Sequence, residues 1–335
     1  MRITLTSHLM PIVAAAFALL IASPALPSET PPPPRAAGAI GALVTAHGAG
    51  DAARIGQLQA LAGAQGARLA LWQHLREGGS PRLSDYAGFV ERHPHWPLID
   101  TLRRQAEAVL DNAAPQEVIN WFASHEPLTG NGAMALFAAL EATGDHAGAL
   151  ALARRLWQDQ ILSADQEARL LARYGSELSD LHTARLDEML WRGASLSATR
   201  MLARVSAGQA ALGRARLALQ ANESGVNALI SAVPAALADD PGLAHDRFQW
   251  RMNAGLLDEA GELMRTRSPD GLGRAEHWAS GRQRLVRRAL WEGDYALGYE
   301  MAAGHGLQDG VRMVDLEWLA GFFALRHLDD PQAAL

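Results

Sequence analysis

The 335-residue chain carries 30 Lys and Arg against 36 Asp and Glu, a formal net charge of −6, with 49% hydrophobic and 20% charged residues. That balance describes a globular chain and argues against a general binder of nucleic acid or of anionic membranes. With no cysteine in the sequence, disulfides, thiolate metal sites and cysteine nucleophiles are excluded together. Alanine and leucine dominate while Val, Ile and aromatic residues are sparse, which favours helices over strands.

Arg2 and the apolar run of 13 residues over 10–22, followed by Ser23-Pro24-Ala25, have the order of an export signal with a small-residue cleavage site. The run is too short to span a bilayer, and nothing later approaches the length of a membrane helix. Residues 1–25 are therefore expected to be a cleaved signal peptide, and 26–40, with its run of prolines, a Pro-rich linker. The mature chain is then expected in the periplasm, with no integral membrane segment. Residues 41–335 are left for the folded domain.

Over 36–80, Ala and Gly surround Leu58, Leu61, Leu69, Leu71, Trp72 and Leu75, which predicts two or three loosely packed helices. From Ser84, the residues Tyr86, Phe89 and Val90 share a face, and His93-Pro94 should end that helix. Trp96-Pro97 predicts the next start, with Pro97 at the first helical position and Leu102 and Ala106 inward. Pro115 opens another helix with Val118, Ile119 and Phe122. Met134, Phe137 and Leu140 form a stripe closed by Gly144 and answered by Ala149, Leu150, Ala153 and Trp157. Ser163 with Gln166, and Ser206 with Gln209, fit capping boxes.

A helix is expected over 243–254, stopping at Gly255, with a second opening at Leu257-Asp258-Glu259-Ala260. Similar corners return at Trp291-Glu292-Gly293-Asp294 and Leu328-Asp329-Asp330-Pro331; Gly255 and Gly293 are 38 residues apart, and Ala296 and Ala333 are 37 apart. This period predicts an all-α superhelical stack of helical hairpins, a solenoid or horseshoe. The last long helix, 311–328, clusters Trp318, Leu319, Phe322, Phe323 and Leu325. Such a face needs a further hairpin to cover it, so the repeat domain is expected to be incomplete at its C-terminal end.

Little in the sequence points to chemistry. His93-Pro94-His95 places two imidazoles around a proline without a third ligand nearby, and reads as turn structure rather than a metal site. Arg282, Arg284, Arg287 and Arg288 lie on one helix, either as a solvated face or as a basic lining for an anionic polymer. No phosphate loop, nucleophile elbow or zinc-protease motif is present. No catalytic, cofactor-binding or metal-binding residue is assigned.

Several segments, in order, carry a resemblance. They are Trp96-Pro97 through Leu102-Arg103-Arg104-Gln105-Ala106-Glu107; Leu190-Trp191 with 198–202; and Ala215-Arg216-Leu217-Ala218-Leu219. Ala232-Val233-Pro234, Asp240-Pro241-Gly242-Leu243, Asp246-Arg247 and Trp250-Arg251 follow. From about residue 84 the chain resembles the soluble lytic murein transglycosylases of Gram-negative bacteria. The resemblance implies a superhelical domain that precedes a lysozyme-like catalytic domain in the same polypeptide. It also implies a periplasmic site and peptidoglycan glycan strands as partner. The family reaction cleaves the β-1,4 bond between N-acetylmuramic acid and N-acetylglucosamine. One glutamate acts first as acid and then as base for the sugar's own 6-hydroxyl, leaving a 1,6-anhydro end.

The family's Glu-Ser signature, followed by a hydrophobic residue and later a Gly-Leu-Met-Gln stretch, is not matched. Glu223-Ser224 mimics the pair, but Gly225 and Asn227 follow it, and its polar neighbours cannot keep a general acid protonated. The expectation is a non-catalytic helical scaffold of such an enzyme, with a periplasmic tetratricopeptide-like protein-binding adaptor as the alternative. A nucleic-acid-binding repeat is disfavoured by export and acidity.

Overall fold

The computed structural model describes residues 34–80 and 82–334. The expected signal peptide and the first part of the Pro-rich linker lie outside the described residues. Every regular element among the described residues is helical, as expected, and no helix among them is long and apolar enough to cross a membrane. The chain divides into two compact units at Ser80.

The first unit is a pair of helices, α1 (Pro34–Ala49) and α2 (Ala52–Arg76). Gly50 turns the chain at φ 65°, and the Asp51 carboxylate accepts the Arg54 N–H to cap α2. Gly63, at φ 69° and ψ 173°, breaks α2 into two segments, so three helical pieces fill the stretch where two or three were expected. Leu43, Ala39 and Ala46 pack against Leu58, Ala62 and Ala70.

The second unit holds α3 (Leu83–Arg92), α4 (Ile99–Glu107), α5 (Pro115–Phe122), α6 (Gly130–Thr143), α7 (His146–Asp159) and α8 (Ala164–Tyr174). It continues with α9 (His182–Trp191), α10 (Ser195–Met201), α11 (Ala207–Gln220), α12 (Val226–Ser231) and α13 (Pro241–Asn253). The last are α14 (Leu257–Arg265), α15 (Ala275–Glu292), α16 (Tyr295–Ala303) and α17 (Val311–His327). Pro115 stands at the start of α5, and Ser163 with Gln166 closes a reciprocal capping box on α8. At α11 the Gln209 N–H donates to Ser206 Oγ at 3.3 Å. The expected start at Pro97 is displaced. Leu98 adopts a left-handed conformation, φ 57°, which a helix interior cannot contain, so α4 begins at Ile99.

Five corners of the second unit share one geometry. Gly144, Gly193, Asn222, Gly255 and Gly293 have φ between 53° and 81°. The N–H of the next residue then reaches back five positions: Asp145 to Leu140 at 2.9 Å, Ala194 to Met189 at 2.8 Å, Glu223 to Ala218 at 3.0 Å, Leu256 to Arg251 at 2.9 Å, and Asp294 to Ala289 at 3.0 Å. This closure satisfies a carbonyl at the end of one helix while redirecting the chain into the next. Asp145 and Asp294 also cap the helices that follow.

Between the helices lie apolar layers: Trp157, Leu170, Leu186 and Met189 in one, Leu212, Leu219, Val226 and Leu243 in the next, and Phe248, Met264, Trp278 and Phe323 in the last. Fully buried arginines are set among them. Arg216 donates from Nε to Asp246 at 2.7 Å and from Nη1 to Asp187 at 2.7 Å, with Asp240 3.8 Å away and the Trp191 ring centroid 5.2 Å from its guanidinium carbon. A Cβ on Gly242 would stand 2.2 Å from that guanidinium, so only glycine lets the start of α13 approach it. Arg185 makes a parallel arrangement with Glu167 at 2.6 Å and with the Trp157 and Gln160 carbonyls. Burial pushes the Glu167 pKa up, but hydrogen bonds from Arg200 and Arg185 outweigh it and hold it below the usual range.

Asp246→Ala leaves the Arg216 charge short of its main partner and should cost about 3–5 kcal/mol. Gly242→Ala should destabilise by about 1–3 kcal/mol through steric displacement alone. Urea denaturation of each variant checks both, and unchanged midpoints would show that the cluster carries no load. Glu141, bonded by Tyr174, Arg173 and His146, titrates at about 2, below its ordinary 4.5, and Glu167 is lowered too. The stability these two contribute should be complete above pH 4.5 and fall as pH drops through their folded values. Denaturation at neutral and acid pH, with and without Glu141→Gln, measures it.

Candidate functional site

The helical spacing of three short elements opens a groove in the second unit. Tyr86 and Phe89 turn α3 inward, leaving Leu83, Ser84, Ala87, Val90 and Glu91 along one wall. Ile99 and Arg103, one turn apart on α4, form the second wall. Glu117, Asn120 and Trp121 on α5, with Ser124 and His125 just beyond it, recur at i, i+3, i+4, i+7 and i+8 and form the third. The groove encloses about 730 Å³, within the range of small-molecule sites.

Arg103 is anchored at its tip by Asp100 at 3.1 Å and the Glu126 carbonyl at 3.4 Å. Its Nε, Trp121 Nε1 and His125 Nε2 are buried without a protein partner. The Trp121 and His125 rings meet edge to face, 4.6 Å between centroids. Burial first, and the Arg103 charge second, push the His125 pKa down to about 4, so the imidazole is neutral at pH 7. Ser124 Oγ lies 3.3 Å from His125 Nδ1. A serine nucleophile would need that histidine oriented by a third group, but the opposite ring nitrogen meets no carboxylate. The Ser124–His125 pair therefore lacks the third group of a nucleophilic triad.

Of the candidate residues singled out in the sequence, Pro94 lines the groove and the others fall elsewhere. His93 packs on Phe89 and Trp96, centroids 4.8 and 5.5 Å apart, and so has a place in the turn after α3. No group of three or more His, Asp or Glu side chains gathers to hold a metal among the described residues. Glu223 and Ser224 are exposed at the corner between α11 and α12, outside the groove. The arginine run does not lie on one face: Arg284 and Arg287 are exposed, Arg288 is half-buried and Arg282 is buried. Arg282 is buried and donates to the Met301 carbonyl at 2.6 Å, while Asp315 pairs with Arg287 and Asp258 and Glu292 pair with Arg288. Desolvation lowers the Arg282 pKa to about 10.

Sequence reasoning passed over Trp121 and His125. Their signal is the polar and aromatic stripe on α5 that runs beside Val118 and Phe122, read there only for its apolar face.

The His125 imidazole should titrate by NMR with a midpoint near pH 4, and Arg103→Met should raise that midpoint by removing a like charge. Because the folded value lies below the ordinary 6.5, its contribution to stability is complete above pH 6.5 and is lost as pH falls toward 4. A midpoint at the ordinary value would mean the ring is solvated. Compared with protein-family models, with curated proteins and with solved structures, the chain finds no match.

Proposed function

We propose that the chain is the superhelical scaffold domain of a periplasmic peptidoglycan lytic transglycosylase, and that catalysis belongs to a lysozyme-like domain outside it. One observation carries this reading. Segments that carry the resemblance, far apart in sequence, supply a single buried clamp: Trp191, Arg216, Asp240, Gly242 and Asp246. These are residues of architecture, and none opens onto a cleft where a glycosidic bond could sit. The recurring corners agree with a stack of helical hairpins. The exposed Glu223 agrees with a chain that holds or positions glycan without cleaving it.

A second reading, a protein-binding adaptor of the tetratricopeptide type, is favoured by α17. Val311 is 86% exposed, Val314 61%, Trp318 63% and Leu325 55%, along one face of that helix. An apolar stripe of this kind is a docking surface more often than a solvated one.

The purified chain, incubated with peptidoglycan, should release no 1,6-anhydro-muropeptides. Release that vanishes in Glu223→Gln would overturn the proposal. Coding sequence that continues past Leu335 into a lysozyme-like domain supports the scaffold, and a stop codon there supports the adaptor.

A further inference from the structure

We infer that the α3–α4–α5 groove docks a short basic segment of another polypeptide, one in which cationic and apolar side chains alternate. The inference goes beyond the scaffold reading and does not rest on it.

The groove supplies apolar surface from all three helices. Leu83, Ala87, Val90 and Pro94 line it from α3 and the turn after it, Ile99 from α4 and the Trp121 ring from α5. Apolar side chains of a ligand leave water on such a surface. Ser84, Asn120 and Ser124 are exposed on the same walls, where they can hydrogen-bond the amides of a peptide backbone. Asn120 accepts from Gln116 Nε2 at 3.0 Å through its side-chain oxygen, which leaves its NH₂ to donate to a peptide carbonyl.

Charge selects the ligand's polar half. Glu91 on α3 and Glu117 on α5 are exposed and line different walls. Glu91 makes no ion pair among the described residues. Glu117 accepts the Ala114 N–H through Oε2 at 3.0 Å, which leaves its other oxygen open to a ligand. Arg103 is the single cation among the lining residues, and Asp100 pairs with it at 3.1 Å. Arg92 and Arg104 do not line the groove, and the neutral His125 adds no charge at pH 7. An acidic ligand would therefore be repelled, and a neutral apolar one would leave both carboxylates without a partner. Carboxylates on two helices of one apolar groove match basic side chains separated by apolar ones. A small diamine could meet both charges, but it would leave the apolar walls and the hydroxyls unused.

The probe is the acetylated and amidated pentapeptide Leu-Arg-Leu-Arg-Leu, titrated into the ¹⁵N-labelled chain. Leu-Gln-Leu-Gln-Leu and Leu-Glu-Leu-Glu-Leu are the neutral and acidic controls, and hexamethylenediamine is the cation without a backbone. The basic peptide should saturate a site that moves the Trp121 indole signal and the Ser124 and His125 amides, and should bind less tightly as ionic strength rises. Glu91→Gln and Glu117→Gln should each weaken it about fivefold, the loss of one exposed ion pair. Glu117→Gln keeps an oxygen for the Ala114 N–H, so the start of α5 is preserved. Either control peptide or the diamine binding as tightly as the basic peptide overturns the proposal, as does unchanged binding to both variants. A concentration-dependent dimer that moves the same signals without peptide would assign the groove to a second copy of the chain and overturn it too.

Discussion

A single guanidinium ties the middle of the second unit together. Arg216 extends from α11 to carboxylates on α9 and α13 and at the turn before α13, and its face lies near Trp191 at the end of α9. A charge so far from water persists only where its partners are fixed, so the helices that provide them must hold their spacing. The cluster sets register more than it adds net stability. Gly242 belongs to the same device, since any side chain there would occupy the volume of the guanidinium. Arg185, with Glu167 and the Trp157 carbonyl, repeats the logic between α7, α8 and α9.

Around these clamps the backbone reuses one solution for reversing direction. A left-handed residue followed by an N–H that reaches back five positions recurs at five corners of the second unit, four of them glycine. Asn222 is the exception, and asparagine tolerates that conformation better than other side chains. Its neighbours Glu223 and Ser224 are polar because they lie at such a corner. That explains how a pair resembling a catalytic signature can occur at an exposed corner, outside the groove.

Much of the helical framework could be read from local signals. Gly255 and Gly293 marked their corners, Pro115 its helix start and Ser163 its cap, and α17 ends within a residue of the expected limit. These signals are local because they depend on φ, on a missing N–H or on a side chain three residues away. Leu98 was misread because nothing in a leucine announces a left-handed conformation. The Arg216 partners were invisible as a set, since Asp187 and Asp246 are 29 and 30 residues away. The groove was hidden for a similar reason. Three short helices create it, and each of them, read alone, displays an ordinary apolar face. Arg282 looked like part of a solvated run because its neighbours on α15 are, and helical periodicity alone does not say how wide the covered face will be.

Arg282 has a consequence of its own. Unlike Arg216 it is buried beside a carbonyl with no carboxylate partner among the described residues, and its Nε is unsatisfied. The desolvation of that cation is offset only in part, so separating α16 from α15 would return hydration energy to it. The contact between α15 and α16 therefore rests on the apolar layer of Trp278, Met301 and Phe323 more than on that cation.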